Sequence, residues 1–454
     1  MIVPKPKQFL KKGEIAVKRA ICADEKLSFS IKAFKRIFEK IYASNLNNGE
    51  DGIEIKYDPT LSEEEYVIDG ATVYASSIIG AKNGLATLFQ LIKDVNNSRI
   101  IMTDTLIKDK PDVEFRAFFA DLARQWHDFD ILLGYVDICY LNKIRYLQLH
   151  FTDNQSFTLP YKCFPNAATK GRSYTHEEIS FLVEYANEAS VEIIPEFEGI
   201  GHSSELIRNC PDEFGNEYDE KMSDNVMCIG KADTLSNVAL MLREMADLFR
   251  YSHYIHVGCD EANHKNWLHC RRCCDYMKEN NIETTLELYA HFTQKIIDCC
   301  LSLGRTPIVW EGFTKEFNHL ISKDAVVMSW ENTYQTAPEL LSDGFKIINA
   351  AWKPLYHVPE ADRNWTILGE DFYLYHWDTV AKRSVAYGGL TIEPNTNVLG
   401  AMLCQWECNY NEEHDWVIKN LPPFSDRCWN VDTHYVKHSF PDIDNILSIE
   451  NKLY

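Results

Sequence analysis

The sequence predicts a (β/α)8 barrel preceded by a small α/β domain, on three observations. Eight short apolar runs alternate with helical patterns from Val113 onward, over roughly 330 residues. No Gly-rich phosphate loop follows the first of these runs, which weakens the competing reading, a doubly wound open sheet. Polar residues recur at the C-terminal ends of the runs, where a barrel gathers its working side chains. The chain has 454 residues, 45% apolar and 25% charged, the balance of an ordinary globular protein with room for both units.

In chain order, the first ~110 residues hold an amphipathic segment, IKAFKRIFEKIY (31–42), then strand-like EEYVID and ATVYAS, and a helix expected across 79–95. The charged, proline-containing stretch LIKDKPD marks a boundary near 108–112, giving an α/β domain over 1–110 and a barrel over 111–454. The barrel strands are expected at 115–120, 146–151, 191–197, 254–258, 307–310, 326–330, 346–351 and 400–406. Between them, THEEISFLVEYANEAS opens on Thr175 with Glu178 three residues on, a capping box, and Thr284 with Glu287 repeats the device. Gly304 suits the C-terminal cap of that second helix. A long insertion, 357–399, follows the seventh strand and is rich in aromatics: Trp365, Tyr373, Tyr375 and Trp377. No internal repeat or low-complexity segment is present.

Lys+Arg is 46 against Asp+Glu 67, a net charge of −21 that would repel nucleic-acid backbone and anionic membrane, so neither is expected as a partner. No apolar run is long enough to span a membrane, and the N-terminus lacks the apolar core of a secretory signal. With fourteen cysteines, this suggests free thiols in a reducing, cytoplasmic setting. The CRRCC cluster (Cys270, Cys273, Cys274) offers a Cys-x-x-Cys pair, but structural zinc takes four ligands and no second pair stands nearby; no metal and no cofactor are expected.

The strand-end residues form one constellation. They are Asp121 and Arg124 after the first strand, His150 and Asp153 at the second, and Glu196, Glu198 and His202 after the third. Asp260 and Glu261 follow the fourth, Trp310 and Glu311 the fifth, Trp330 and Glu331 the sixth, Tyr356 the seventh, and Trp406 and Glu407 the eighth. Tryptophan faces stack on the C–H-rich side of a sugar ring, while carboxylates and arginine take its hydroxyls through charge-assisted hydrogen bonds. Several carboxylates in a dry aromatic pocket push at least one pKa upward, as a general acid requires. An HxH ligand pair, a G-x-S-x-G elbow and a Walker loop are all absent, so glycoside cleavage is the preferred chemistry.

HVGCDEA (256–262) resembles the His-x-Gly-Gly/Ala-Asp-Glu motif of glycoside hydrolase family 20, the β-N-acetylhexosaminidases. FRAFFADLARQW looks like that family's first barrel strand with its Asp-x-x-Arg, and YLQLHFTDNQSFTL like its second. IIPEFEGIGH is similar to its third strand and CQWE to its closing Trp-x-Glu, while VYASSIIGAKNGLATLFQLI resembles the end of its N-terminal domain. The resemblance runs from about residue 60 to about 410, and its motifs together are specific. It implies an exo-acting, retaining enzyme on terminal β-linked GlcNAc or GalNAc of oligosaccharides or glycoconjugates, in which the substrate's own 2-acetamido oxygen is the nucleophile. On that resemblance Glu261 is the general acid and base, Asp260 holds the acetamido N–H, and Tyr356 bonds the acetamido oxygen. Arg124 and Glu407 would take ring hydroxyls, Trp310, Trp330 and Trp406 would wall the pocket, and Asp153 with His202 would support the acid.

Several positions depart from the family pattern. Asn154, Glu198 and Ile200 stand where it has Asp, Asp and Pro, and Cys259 stands where Gly or Ala is usual. Tyr356-His357-Val358 replaces its Tyr-Leu-Asp, so a hydroxyl-binding aspartate is absent, and Asp378 or His376 is the expected substitute. The residues alone leave other readings open. The tryptophans could simply pack the barrel, a carboxylate such as Glu311 or Glu407 could be a protein nucleophile, or the barrel could bind sugar without turnover.

Overall fold

The computed structural model describes residues 2–217, 226–359, 372–432 and 442–453. Its N-terminal part is a mixed sheet in the order Gln8–Lys18, Arg99–Asp109, Tyr66–Asp69, Thr72–Ala75, Ile53–Tyr57, Ala20–Ala23, Asn47–Asn48, with Ile92–Val95 also paired to Arg99–Asp109. The helix Ile31–Tyr42 forms as its spacing predicts, burying Phe34, Ile37, Phe38 and Ile41. The helix expected over 79–95 is shorter: it spans Ile78–Leu91, and the chain turns at Ile92 into a strand. Gln8–Lys18 is a strand that its pattern hides, since its side chains are almost all exposed along a lysine-bearing sheet edge.

The barrel strands are β1 (Phe115–Asp121), β2 (Tyr146–His150), β3 (Glu192–Glu196), β4 (Tyr254–His256), β5 (Thr306–Trp310), β6 (Val326–Ser329), β7 (Lys346–Asn349) and β8 (Val398–Gln405). Each pairs parallel with its neighbours, and β8 closes the ring by pairing with both β7 and β1, which excludes the open doubly wound sheet. Alternate residues face the interior: Phe115, Ala117 and Phe119 from β1 pack with Ile194, Ile308, Met328 and Met402. Leu147, Leu149 and Phe118 face outward into the layer beneath the helices.

Capping fixes the helices. Thr175 accepts the Glu178 N–H while Glu178 reaches back to Thr175, the full capping box. Thr284 accepts the Glu287 N–H, but the Glu287 carboxylate turns one residue further back, to the Glu283 N–H. Gly304 takes φ +70° after that helix, the left-handed conformation expected of its cap.

Candidate active site

Register builds the rim of the site. Asp121 pairs with His150, His150 with Glu196, and Glu196 with His256, so four strand ends set their polar groups at one level. Asp121 shapes two loops at once: one carboxylate oxygen accepts the N–H groups of Ala123 and Arg124, and the other accepts that of Glu407. Arg124 is thereby placed over the Trp406 ring, 4.7 Å from its centroid, with its guanidinium 2.8 Å from Asp153 and 3.8 Å from Glu407.

A chain of alternating charge runs across the mouth. Glu196 meets His150 at 3.2 Å, His150 meets Asp153 at 3.0 Å, Asp153 meets His202 at 3.2 Å, and His202 meets Glu261 at 3.5 Å. Burial opposes every one of these charges, yet the pairing wins. Asp153 is held well below the usual carboxylate range by His150, His202 and Arg124, and His202 is raised well above a free imidazole by Asp153 and Glu261. Glu196 falls to about 2 under the pull of His256 and His150, and it also accepts the Trp310 indole N–H at 2.7 Å.

Asp260 and Glu261 are adjacent in the chain and opposite in environment. Burial pushes the Asp260 carboxyl up to about 7, with Glu261 and Glu196 adding repulsion and His202 only partly offsetting it. Its Oδ1 is buried without a hydrogen-bond partner among the described residues. The Glu261 side chain is 48% exposed, and its hydrogen bond with His202 lowers its pKa. In the resting protein the raised carboxyl is therefore Asp260 and not the expected acid. The turn that separates the two is made of left-handed residues, with Gly258 at φ +62°, Cys259 at +69° and Glu261 at +40°. Gly258 is also required by space, since a Cβ there would collide with the buried Glu198 carboxylate. Cys259 is packed and inert: its thiol donates to the Val257 carbonyl at 3.1 Å, and its own carbonyl accepts from the Tyr289 hydroxyl.

The aromatic floor comes from the last four strand positions. Trp310 and Trp406 lie 6.0 Å apart between centroids, Trp310 and Trp330 6.4 Å, and Trp330 is near-parallel to Tyr356 at 6.1 Å. All four cap the inner barrel core, so packing and site formation are one role here. Tyr356 reaches the rim in a way β7 alone does not provide: Tyr356–His357 forms a short strand that pairs with the top of β8. Trp352 was not singled out from the sequence. It stacks on Trp330 at 5.6 Å and on Tyr356 at 5.5 Å, and the signal for it was a tryptophan just past a strand end, as at Trp310, Trp330 and Trp406. A cleft of about 490 Å³ adjoins Glu261, bounded by Tyr289, Gly312 and Tyr334.

Other expectations resolve differently. Glu311 is committed to backbone, accepting the N–H groups of Asn332, Thr333, Tyr334 and Gln335, so it anchors that loop. Asp378 is committed to the Thr379 and Gly388 N–H groups and to Lys353 at 3.1 Å, and His376 bonds Thr391 at 2.7 Å; both hold the 376–391 segment together. Trp377 is buried and donates to the Ser329 carbonyl, and Tyr373 and Tyr375 are also core residues; Trp365 lies outside the described residues.

A closed (β/α)8 barrel whose C-terminal mouth joins a carboxylate–histidine chain to a tryptophan floor has the architecture of the glycosidase barrels. The chain belongs to glycosyl hydrolase family 20, whose catalytic domain matches residues 113–423. Among curated relatives, it is 27% identical over 332 residues to a beta-hexosaminidase of Vibrio furnissii, covering 66% of this chain and 54% of that protein. It is 25% identical to a beta-hexosaminidase subunit beta of Entamoeba histolytica, covering 86% of this chain and 74% of that one. Among solved structures, a family 20 exo beta-N-acetylglucosaminidase of Vibrio harveyi superimposes with a TM-score of 0.78 at 20% identity, over 100% of this chain and 76% of the other. A beta-N-acetylhexosaminidase of Bacteroides fragilis gives 0.75 at 19% identity, over 98% and 93%.

Proposed function

We propose that the protein is an exo-acting, retaining β-N-acetylhexosaminidase that releases terminal β-GlcNAc or β-GalNAc by 2-acetamido assistance. The observation that carries this reading is the pair Asp260 and Glu261. One carboxyl belongs to a part-buried side chain whose Oδ1 is buried and unpartnered among the described residues, and the other is half-exposed on a histidine. A buried acceptor suits an acetamido N–H, and its charge balances the oxazolinium ion. The exposed carboxyl suits the glycosidic oxygen. Neither rival nucleophile is well placed, because Glu311 is tied to backbone and Glu407 is half-exposed against Arg124.

The acetamido oxygen, held by the Tyr356 hydroxyl, attacks the anomeric carbon while Glu261 gives its proton to the leaving oxygen. Glu261 then takes a proton from the water that opens the oxazolinium, and configuration is retained. Substrate drives the proton into place. Covering Glu261 strips its water and raises its proton affinity, while the N–H donated to Asp260 stabilises that anion. Arg124 and Glu407 bind ring hydroxyls, Trp310, Trp330, Trp352 and Trp406 shape the acetamide pocket, and Asp153 and His202 hold Glu261.

Nitrophenyl β-N-acetylglucosaminide and its galacto counterpart, assayed side by side, should both report on turnover. A 2-acetamido thiazoline should inhibit tightly. Glu261→Gln should lower kcat roughly 10²–10⁴-fold, as loss of general acid catalysis does; full activity in that variant would sink the mechanism. We also propose a cytoplasmic location, supported by fourteen cysteines of which none is in a disulfide; fractionation that recovers the protein outside the cytoplasm would overturn it.

A further inference from the structure

Away from the aromatic floor, three buried cysteines meet. Cys228 precedes the helix Thr234–Leu248 in the excursion after β3, while Cys270 and Cys273 open the helix Arg271–Glu279 in the excursion after β4. The sequence shows only the Cys-x-x-Cys pair; the fold adds the third thiol. Cys228 Sγ lies 3.7 Å from Cys270 Sγ and 3.6 Å from Cys273 Sγ, and all three sulfurs fall within 4.8 Å of one another. The meeting is built in from both sides. The Trp267 indole donates to the Met227 carbonyl at 2.9 Å, and the Gly230 backbone lies so close to the Arg272 carbonyl that no Cβ would fit.

The separations discriminate between chemistries. A disulfide needs sulfurs near 2.05 Å, which these two contacts exceed widely. Tetrahedral zinc with Zn–S bonds of ~2.3 Å places its sulfurs about 3.8 Å apart, close to what is found. An oxygen ligand at ~2.1 Å would stand about 3.6 Å from such a sulfur. Asn216 Oδ1 is 3.7 Å from Cys273 Sγ, and its amide is oriented by donation to the Val226 carbonyl at 2.6 Å.

We propose that Cys228, Cys270 and Cys273 bind a structural zinc ion, with the Asn216 carboxamide oxygen at the fourth corner. Thiolates select soft or borderline metals, and complete burial suits a closed structural site. The ion ties together the two excursions that carry His202 and Glu261, so it steadies the acid without touching substrate.

The test is metal content of the full-length protein purified without chelator. A single zinc per chain is expected in the wild type and in Cys274→Ser, whose thiol instead contacts the Trp267 and Leu268 carbonyls. Loss of the ion is expected in Cys228→Ser and Cys270→Ser. Cobalt exchanged into the wild type should show thiolate-to-metal charge transfer, which decides the matter even if those variants fail to fold. Zinc retained in Cys228→Ser would overturn the site, as would metal-free wild type that takes up no cobalt, or a disulfide between any two of the three found by mass spectrometry.

Discussion

The carboxyl of Asp260 titrates near 7 because burial disfavours its anion, and this couples catalysis to stability. Between about pH 4 and about 7 the folded chain holds a proton there that the unfolded chain has released. Stability therefore falls as pH rises through that window and stays low above it. Asp260→Asn removes the cost. At pH 8 it should be more stable than wild type by about 1–4 kcal/mol in denaturant titrations, with no gain near pH 4, while turnover collapses. Equal stability at both pH values would contradict the buried-anion account. The same proton shapes the rate. On the proposed mechanism the resting protein carries it on Asp260 and the productive complex on Glu261, but both arrangements hold one proton on the pair. Accordingly kcat/KM should fall as pH rises above about 7, and a profile flat from about pH 6 to about 9 would count against the assignment. The placement of Asp260, Glu261 and Arg124 just past strand ends was readable from the motifs, and the structure puts them there. The direction of the Asp260 shift was not, since it depends on burial and on His202 and Glu196 from other strands.

The turn Gly258–Glu261 is the element on which the site rests, and it tolerates little. Gly258→Ala must both hold a left-handed φ of +62° and push a Cβ against the Glu198 carboxylate. The expected cost is about 1–3 kcal/mol together with a fall in kcat, because relief of the clash displaces Asp260 and Glu261. Pairing it with Glu198→Ala should restore the steric share but not the φ share, so non-additivity in a double-mutant cycle is the readout. Thr175→Ala, by contrast, should cost about 1 kcal/mol through its lost cap and leave kinetics unchanged. Elements with strong local signals were legible: the eight apolar runs became eight barrel strands, and both N-caps lie where the threonines predicted. Gln8–Lys18 was not, because an edge strand exposed on both faces carries no alternation of apolar residues. Ile78–Leu91 was read too long because Ile92 and Val95 continue an apolar pattern that period alone cannot assign to strand or helix.

At the scale of the whole molecule, the N-terminal unit and the barrel are joined by a buried polar knot that neither sequence segment announces. Asp137, on the helix Phe129–Leu141, is fully buried and accepts from Arg36 at 3.2 Å, Lys40 at 2.6 Å and the Tyr185 hydroxyl at 2.8 Å. Arg36 also sits over the Tyr185 ring, its guanidinium carbon 3.4 Å from the centroid. Arg36 and Lys40 come from the N-terminal helix Ile31–Tyr42, whereas Asp137 and Tyr185 belong to barrel helices. An aspartate within an apolar helix looks like a lapse in pattern when only the chain is read; it is the anchor for two cations that arrive about a hundred residues earlier in sequence. Removing it takes away their shared counter-charge, but Arg36 keeps Glu188 at 3.4 Å and both cations reach solvent, so the expected cost is about 1–3 kcal/mol, most of it the orphaned Tyr185 hydroxyl and the lost charge-assisted bonds. That cost falls on the junction and not on either core. Asp137→Ala should therefore change the shape of unfolding as well as its midpoint: one calorimetric transition in the wild type should separate into two, with the N-terminal sheet melting first. Asp137→Asn, which keeps one acceptor oxygen but loses the other and the charge, should fall between the two. A single transition in Asp137→Ala at the wild-type midpoint would show that the units are held together by their other contacts, Phe89 against Tyr140 and Arg116 with Glu64 among them, and not by this knot.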